Sequence, residues 1–179
     1  HGLVVYDDEA TDATIKLDGN YPDGSGNVAL GLTALDSLDS GSPGGDNVAI
    51  GNAALTALTT GDSNTAIGSS ALSANTTGAG NTAVGYFSLL DNTTGGNNTA
   101  VGYNSLPNNT TASNNVAVGR DTLRLNTTGA SNVSVGYRSL YDNTTGQNNT
   151  IVGFEAGYEN TTGASNAVLG HSALYSNTT

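Results

Sequence analysis

The side chains able to do chemistry in this chain are mostly amides and hydroxyls. Seven N-T-T triplets, starting at Asn75, Asn92, Asn109, Asn126, Asn143, Asn160 and Asn177, match the acceptor pattern for N-linked glycans. A second set of asparagines, Asn47, Asn64, Asn81, Asn98, Asn115, Asn132, Asn149 and Asn166, opens a recurring pentapeptide and could hydrogen-bond along a stack or to turn backbone. Ionisable groups offer less. His1 and His171, the two histidines, have no metal-ligand or nucleophile pattern beside them, and acid pairs such as Asp7 and Asp8 read as solvated turns rather than an acid/base dyad. No phosphate-binding Gly loop followed by Lys occurs. The oxygen-rich segment at 18–27 invites a calcium reading. However, Asp18, Asn20 and Asp23 break the one-three-five spacing of an EF-hand loop and no Glu closes it, so a solvated acidic turn is the better reading. No enzymatic activity and no cofactor are expected, calcium being the one ion worth weighing.

Composition narrows the partners. The chain has 179 residues with 25 Gly, and its 15 acids against 4 bases give a formal net charge of −11, which disfavours nucleic acid or an anionic membrane surface. It has no Cys, which removes disulfides and thiolate metal sites, and no apolar run approaches the roughly 20 residues of a membrane span, so no membrane insertion is expected in this segment. With no Met present, His1 is expected to mark processing, trimming or a fragment rather than a translation start.

The elements that must position the amides follow from a repeat. The pentapeptide N-x-x-(aliphatic)-G begins at Asn27, then at Asn47 and every 17 residues to Asn166, giving nine copies over 27–179. Only the first interval is longer, 20 residues, and the extra three fall in the Ser/Gly-rich stretch Asp39 to Asp46, which reads as a lengthened corner loop. As one unit the pattern is N-(T/V)-A-(V/I)-G-Y-x-(S/A)-L-x-x-N-T-T-G-x-(N/S), numbered below as positions 1 to 17. Position 4 is always aliphatic, position 5 always Gly and position 8 always small. Position 9 is Leu except at Gly157, where the neighbouring Phe154 is expected to fill the space.

A 17-residue helix would need apolar residues at helical spacing. The unit instead offers short alternating segments, a Gly and an N-T-T-G corner. Such a unit cannot bury its own side chains, so the copies must stack at about 4.8 Å into a rod of roughly 40 Å. The expected fold is an all-β parallel solenoid, or β-roll. Position 4, including Val84, Val101, Val118 and Val135, and position 9, including Leu72, Leu89, Leu106, Leu123 and Leu140, are expected to run as aliphatic ladders inside it.

Stacking makes residues one unit apart neighbours. At position 7, Arg138 would lie between the acids Asp121 and Glu155; at position 6, Arg120 would lie between Tyr103 and Tyr137 in cation–π geometry; at position 10, Tyr141, Tyr158 and Tyr175 would stack. The N-T-T asparagines would come within about 5 Å of one another, too close for a glycan on each. That favours an Asn/Thr hydrogen-bonding ladder at a corner over glycans on a subset. A Thr-rich ice-binding face is disfavoured at this corner, because adjacent residues such as Thr93 and Thr94 point to opposite faces while a ranked surface needs alternate positions.

NVAIG at 47–51, NTAIG at 64–68 and NVAVG at 115–119 resemble the S-V-A-I-G repeats of trimeric autotransporter adhesin heads. The longer unit is also similar to tandem repeats of large phage tail-fibre and bacterial surface proteins. The resemblance implies a left-handed parallel β-roll, lateral trimers and a role in adhesion. This chain departs from the adhesin pattern in its longer unit, in a Thr often replacing the first Val, and in having no recognisable neck, stalk or anchor.

Residues 1–26 do not repeat. Their β-prone runs GLVVY (2–6) and ATIKL (13–17) are expected to cap the solenoid at 27–179 or to dock on another subunit. Because the chain stops in mid-repeat at Thr179, the last coil is expected either to continue or to be covered by a neighbour's amino-terminal strands. The functional expectation is a non-enzymatic structural protein outside the cell, at the cell surface or on a virion, self-associating head to tail or as lateral trimers into a fibre. The alternative is an adhesin head or tail-fibre segment that binds a host glycan or matrix protein.

Overall fold

A computed structural model describes residues 15–16, 26–38 and 43–178. The fold is an all-β solenoid of stacked coils with no helix among the described residues. Nine three-residue strands, β2 (Val28–Leu30), β3 (Val48–Ile50), β4 (Thr65–Ile67), β5 (Thr82–Val84), β6 (Thr99–Val101), β7 (Val116–Val118), β8 (Val133–Val135), β9 (Thr150–Val152) and β10 (Ala167–Leu169), lie side by side in chain order in one parallel sheet. Each residue pairs with its counterpart one unit on, as in Ala83 with Ala100 and Val84 with Val101. The longer first interval keeps this register, since Val28 pairs with Val48. Of the amino-terminal runs, β1 (Ile15–Lys16) pairs antiparallel with β2 and so covers the edge of the first coil. GLVVY, most of the calcium candidate, His1 and residues 39–42 of the corner loop lie outside the described residues, as does Thr179.

Hydrogen bonds between coils continue around the corners. The position 5 N–H donates back to the position 4 carbonyl of the previous coil (Gly68 to Ile50, 2.7 Å), while the position 9 N–H donates forward to the position 8 carbonyl of the next (Leu55 to Ala71, 3.0 Å). Turns of three residues close the corners, from Ala71 N–H to the Gly68 carbonyl and from Asn75 N–H to the Leu72 carbonyl. A strand of three residues is marginal alone. Its pairing on both sides and the corner bonds make the stack, not the coil, the folding unit.

The sheet corrects one expectation about its faces. Position 3, not position 4, points inward: Ala49, Ala66, Ala83, Ala100 and Ala117 are fully buried, whereas Val84, Val118 and Val135 are only half-buried and Ile67 and Val101 are exposed. Alternation along a strand sends positions 2 and 4 to the same side, opposite position 3, so an aliphatic position 4 is on the outside. The inside of these coils has room only for a small residue there, Ala or Ser134, because position 9 supplies the bulk: Leu35, Leu55, Leu72, Leu89, Leu106, Leu123 and Leu140 are all completely buried.

Those leucines occupy a costly backbone conformation. Leu106 has φ of 52° and Leu140 of 49°, and position 7 shares the left-handed region, with Asp121 at 55° and Arg138 at 51°. A non-glycine residue there costs roughly 1–2 kcal/mol. Full burial of a Leu side chain returns about 1.5–3 kcal/mol, which is enough to keep it. Position 5 leaves no such choice: Gly119, at φ +134°, faces the Gly136 carbonyl of the next coil so closely that any Cβ would collide with backbone.

Gly157 corrects a second expectation. Phe154 is 44% exposed and does not fill the gap left by the missing Leu. Ile151, at position 3 of the same coil, is completely buried, and a Cβ on Gly157 would sit 3.4 Å from its Cγ2. Volume has moved from one interior position to another within one coil. Ile151→Ala alone should therefore cost about 2–5 kcal/mol as a cavity, and Gly157→Leu alone about 1–3 kcal/mol by overpacking. The double variant, restoring the Ala/Leu pair of the first six coils, should return to within about 1 kcal/mol of the parent in urea denaturation. Additive costs would disprove the exchange.

Candidate functional site

Two amide ladders line the interior. At position 1, the Asn64 N–H and Nδ2 both donate to Asn47 Oδ1 (2.8 and 3.1 Å), and Nδ2 also donates to the Gly78 carbonyl (2.9 Å). The same pattern recurs at Asn81, and Asn98, Asn115, Asn132, Asn149 and Asn166 likewise donate their backbone N–H to the preceding Asn. At position 12, Asn109 Nδ2 donates to Asn92 Oδ1 (2.8 Å) and to the Ala112 carbonyl (2.9 Å), while its Oδ1 accepts from Asn126 (3.2 Å). This second ladder runs Asn75, Asn92, Asn109, Asn126, Asn143, Asn160 and Asn177.

These are the glycosylation candidates. From Asn75 to Asn160 all six are completely buried, with Nδ2 bonded inside the core; only Asn177 is half-buried. A folded coil gives a glycosyl-transferring enzyme no access to those six nitrogens. The neighbouring threonines split as expected: Thr93 is half-buried and donates its hydroxyl to the Thr110 carbonyl (3.0 Å), while Thr94 is exposed.

The charged column behaves differently. Asp121, Arg138 and Glu155 occupy successive coils, but Arg138 makes no ion pair with either acid among the described residues. Asp121, 3% exposed, instead pairs within its own corner with Arg120 (3.2 Å) and Arg124 (3.3 Å) and accepts from Asn104 Nδ2 (3.3 Å). Arg138 lies over the rings of Tyr137 (5.0 Å) and Tyr141 (5.5 Å), its Nε buried without a hydrogen-bond partner. Arg120 has Tyr103 on one side at 5.3 Å rather than a tyrosine on each. Register places like positions in line, yet the left-handed bend at position 7 turns these side chains toward positions 6 and 10 of the same corner. Arg124 was the missed partner, and its spacing of three from Asp121 was the available signal.

Aromatic columns flank this cluster. At position 6, Tyr86 stacks on Tyr103 (5.5 Å), and Tyr137, Phe154 and His171 stack in turn (5.2 and 4.9 Å). At position 10, Tyr141, Tyr158 and Tyr175 stack at 4.9 and 5.1 Å, within 4° of parallel. Burial pushes the Tyr158 phenol up, helped by the Asp142 carboxylate; Asp142 is itself raised by burial and then by Glu159. Among the described residues no group of three or more His, Asp or Glu side chains could hold a metal ion, and no helix is long and apolar enough to cross a membrane.

The chain matches no protein-family model, no curated protein and no solved structure.

The position 12 ladder makes a signed prediction. Asn109→Asp removes the donors to Asn92 and Ala112 and buries a carboxylate, which should cost about 3 kcal/mol or more at neutral pH. Burial raises the folded-state pKa of that Asp above its unfolded value, so the folded state favours the protonated form. The variant should regain stability as pH falls toward about 4, and lose it again as pH rises through the raised pKa. Denaturation midpoints at neutral and acid pH check this, and a pH-independent deficit would count against a buried amide ladder.

Proposed function

We propose that this chain is a non-enzymatic structural subunit of an extracellular or surface fibre, in which rods associate laterally through the outer face of the sheet. The observation that carries the reading is the chemistry of that face. Position 4 presents an aliphatic side chain in every coil and position 2 a Val, Thr or Ala, so neither row contains a charge, while the chain as a whole carries −11. Val28 is 41%, Ile67 38% and Val101 36% exposed, and these belong to continuous rows rather than scattered sites. Nine strands at about 4.8 Å and two rows about 7 Å apart give a stripe of roughly 300 Å², within the range of the largest, often functional, patches on soluble proteins.

The occupant that fits is another copy of this chain, because its identical stripe has the same length, the same period and no charge to desolvate. A closed ring of such contacts, the trimer among them, hides every stripe, whereas two flat faces meeting alone give a dimer. Interior amide ladders and a sheet paired from coil to coil supply the stiffness a fibre needs.

A second reading, an adhesin head or tail-fibre segment binding a host glycan or matrix protein, is favoured by one feature. Three of the chain's four basic residues, Arg120, Arg124 and Arg138, gather beside Tyr103, Tyr137 and Tyr141 on a different face.

Val101→Lys with Val118→Lys places like charges in the middle of the stripe while sparing the core. Lateral association predicts a multimer for the parent by light scattering coupled to gel filtration, and monomers for the variant with an unchanged circular dichroism spectrum. A parent monomeric at high micromolar concentration would overturn it.

A further inference from the structure

We propose that the tyrosine column at position 10 is a site of oxidative cross-linking, at which a one-electron oxidant joins neighbouring coils through dityrosine. Three observations meet here. First, the chain contains no Cys, no Met and no Trp, so the side chains that ordinarily take up oxidising equivalents first are missing and tyrosine is left as the most readily oxidised group. Second, Tyr141, Tyr158 and Tyr175 are held in register by the coils beneath them, with ring centroids 4.9 and 5.1 Å apart and planes 3° and 4° from parallel. Third, all three are half-buried, so an oxidant reaches the phenols while the stack limits which partner each can meet.

The chemistry balances with a peroxidase and hydrogen peroxide as the oxidising pair. Each of two phenols gives up one electron and one proton, and the peroxide takes both electrons and both protons to become two waters. The two phenoxyl radicals, whose unpaired spin extends to the ortho carbons, form one carbon–carbon bond between those carbons. The two ring hydrogens at the new bond then move to the oxygens, restoring both phenols. The product is the chain less two hydrogen atoms, with one coil stapled to the next.

Geometry favours coupling within the chain. The parallel rings lie one coil rise apart, so rotation about each Cβ–Cγ bond turns their ortho carbons toward one another, and a swing of the side chains about Cα–Cβ closes the remaining gap. Tyr158 is the pivot, since it alone has a tyrosine on each side in this column. Tyr86 and Tyr103, at 5.5 Å and 14°, form the only other stacked tyrosine pair among the described residues, and are less well aligned. A staple of this kind would add a side-chain cross-link between coils that are otherwise joined only by the backbone, hydrogen bonds and packing, and it does not depend on whether rods associate.

The test treats the full chain with peroxidase and hydrogen peroxide, then cleaves it after Glu155 and Glu159, which separates the three tyrosines onto different peptides. The expected product is a single chain lighter by two hydrogens, fluorescent as dityrosine, with the Tyr158 peptide joined to that of Tyr141 or Tyr175. Its yield should not change on dilution and should vanish in urea. Tyr158→Phe keeps the stacked ring yet should drop these joined peptides to background. Tyr175→Phe, a second variant that leaves one pair intact, should leave only the joint between Tyr141 and Tyr158. Products formed only between chains, an unmodified folded chain, or joined peptides persisting in Tyr158→Phe would each overturn the proposal.

Discussion

A buried amide must find its partners in the adjoining coil, and the rest of the solenoid is arranged around that requirement. Position 1 spends both its N–H groups and its carbonyl oxygen along the stack, so a coil taken alone would leave several polar groups orphaned at about 1–3 kcal/mol each. Stacking satisfies them and supplies the apolar contact of position 9 in the same step. Cooperativity between coils therefore rests on polar and apolar terms that cannot be formed separately. The first two described coils show where the requirement relaxes. Leu38 and Leu58 stand at position 12 in place of Asn, and the position 15 carbonyls there, Gly44 and Gly61, still accept from Asn27 and Asn47. In later coils each such carbonyl accepts from both ladders, as Gly95 does from Asn81 and Asn92. Position 12 can thus exchange an amide for a leucine at the start of the ladder without stranding a polar group, whereas in its middle a leucine would leave the preceding amide oxygen without its donor, as Asn92 Oδ1 accepts from Asn109.

The cross-section of each coil is set by a trade between conformational cost and volume. Three residues in each complete unit, at positions 7, 9 and 17, take left-handed backbone geometry, which turns the chain sharply at the corners of the coil. Only at position 9 is a large apolar side chain kept there in coil after coil, because only there does burial outweigh the strain. Where the leucine is missing, at Gly157, the strain disappears and Ile151 restores the volume from the opposite wall.

Much of this was legible in the sequence, but not evenly. The period is carried by Gly at position 5 and Asn at position 1, which recur in every coil for steric and hydrogen-bonding reasons, and by Asn at position 12 from Asn75 on, so register could be read directly. Which side of the strand faced inward could not be read from hydrophobicity, because the aliphatic row at position 4 is the outer one and the inner row is alanine in six of its nine coils. The signal that would have decided it was present: Ile151, the largest residue found at position 3, stands in the one coil whose position 9 is Gly. The Asp121 cluster escaped for a different reason. Stacking predicts neighbours along the rod, whereas a tight left-handed corner also brings residues one and three apart into contact, and for Asp121 the local pairs are the shorter route to a cation.

The two outer surfaces then differ in kind. Along the sheet, positions 2 and 4 exclude charge in every coil, whereas the acids of the described coils, Asp62, Asp91, Asp121, Asp142, Glu155 and Glu159 among them, stand at the corners. At physiological salt, charges separated by more than about 8 Å scarcely feel one another. Repulsion between two rods of like charge thus acts where corner approaches corner and is weakest where sheet faces sheet. Under the lateral association proposed above, that distribution would turn a net charge that ordinarily keeps proteins apart into an orienting influence: the uncharged sheet faces are those with the least electrostatic reason to stay separate. Raising the salt concentration would weaken the discrimination between faces more than the attraction of the sheets themselves, because the attraction is apolar and the discrimination is not.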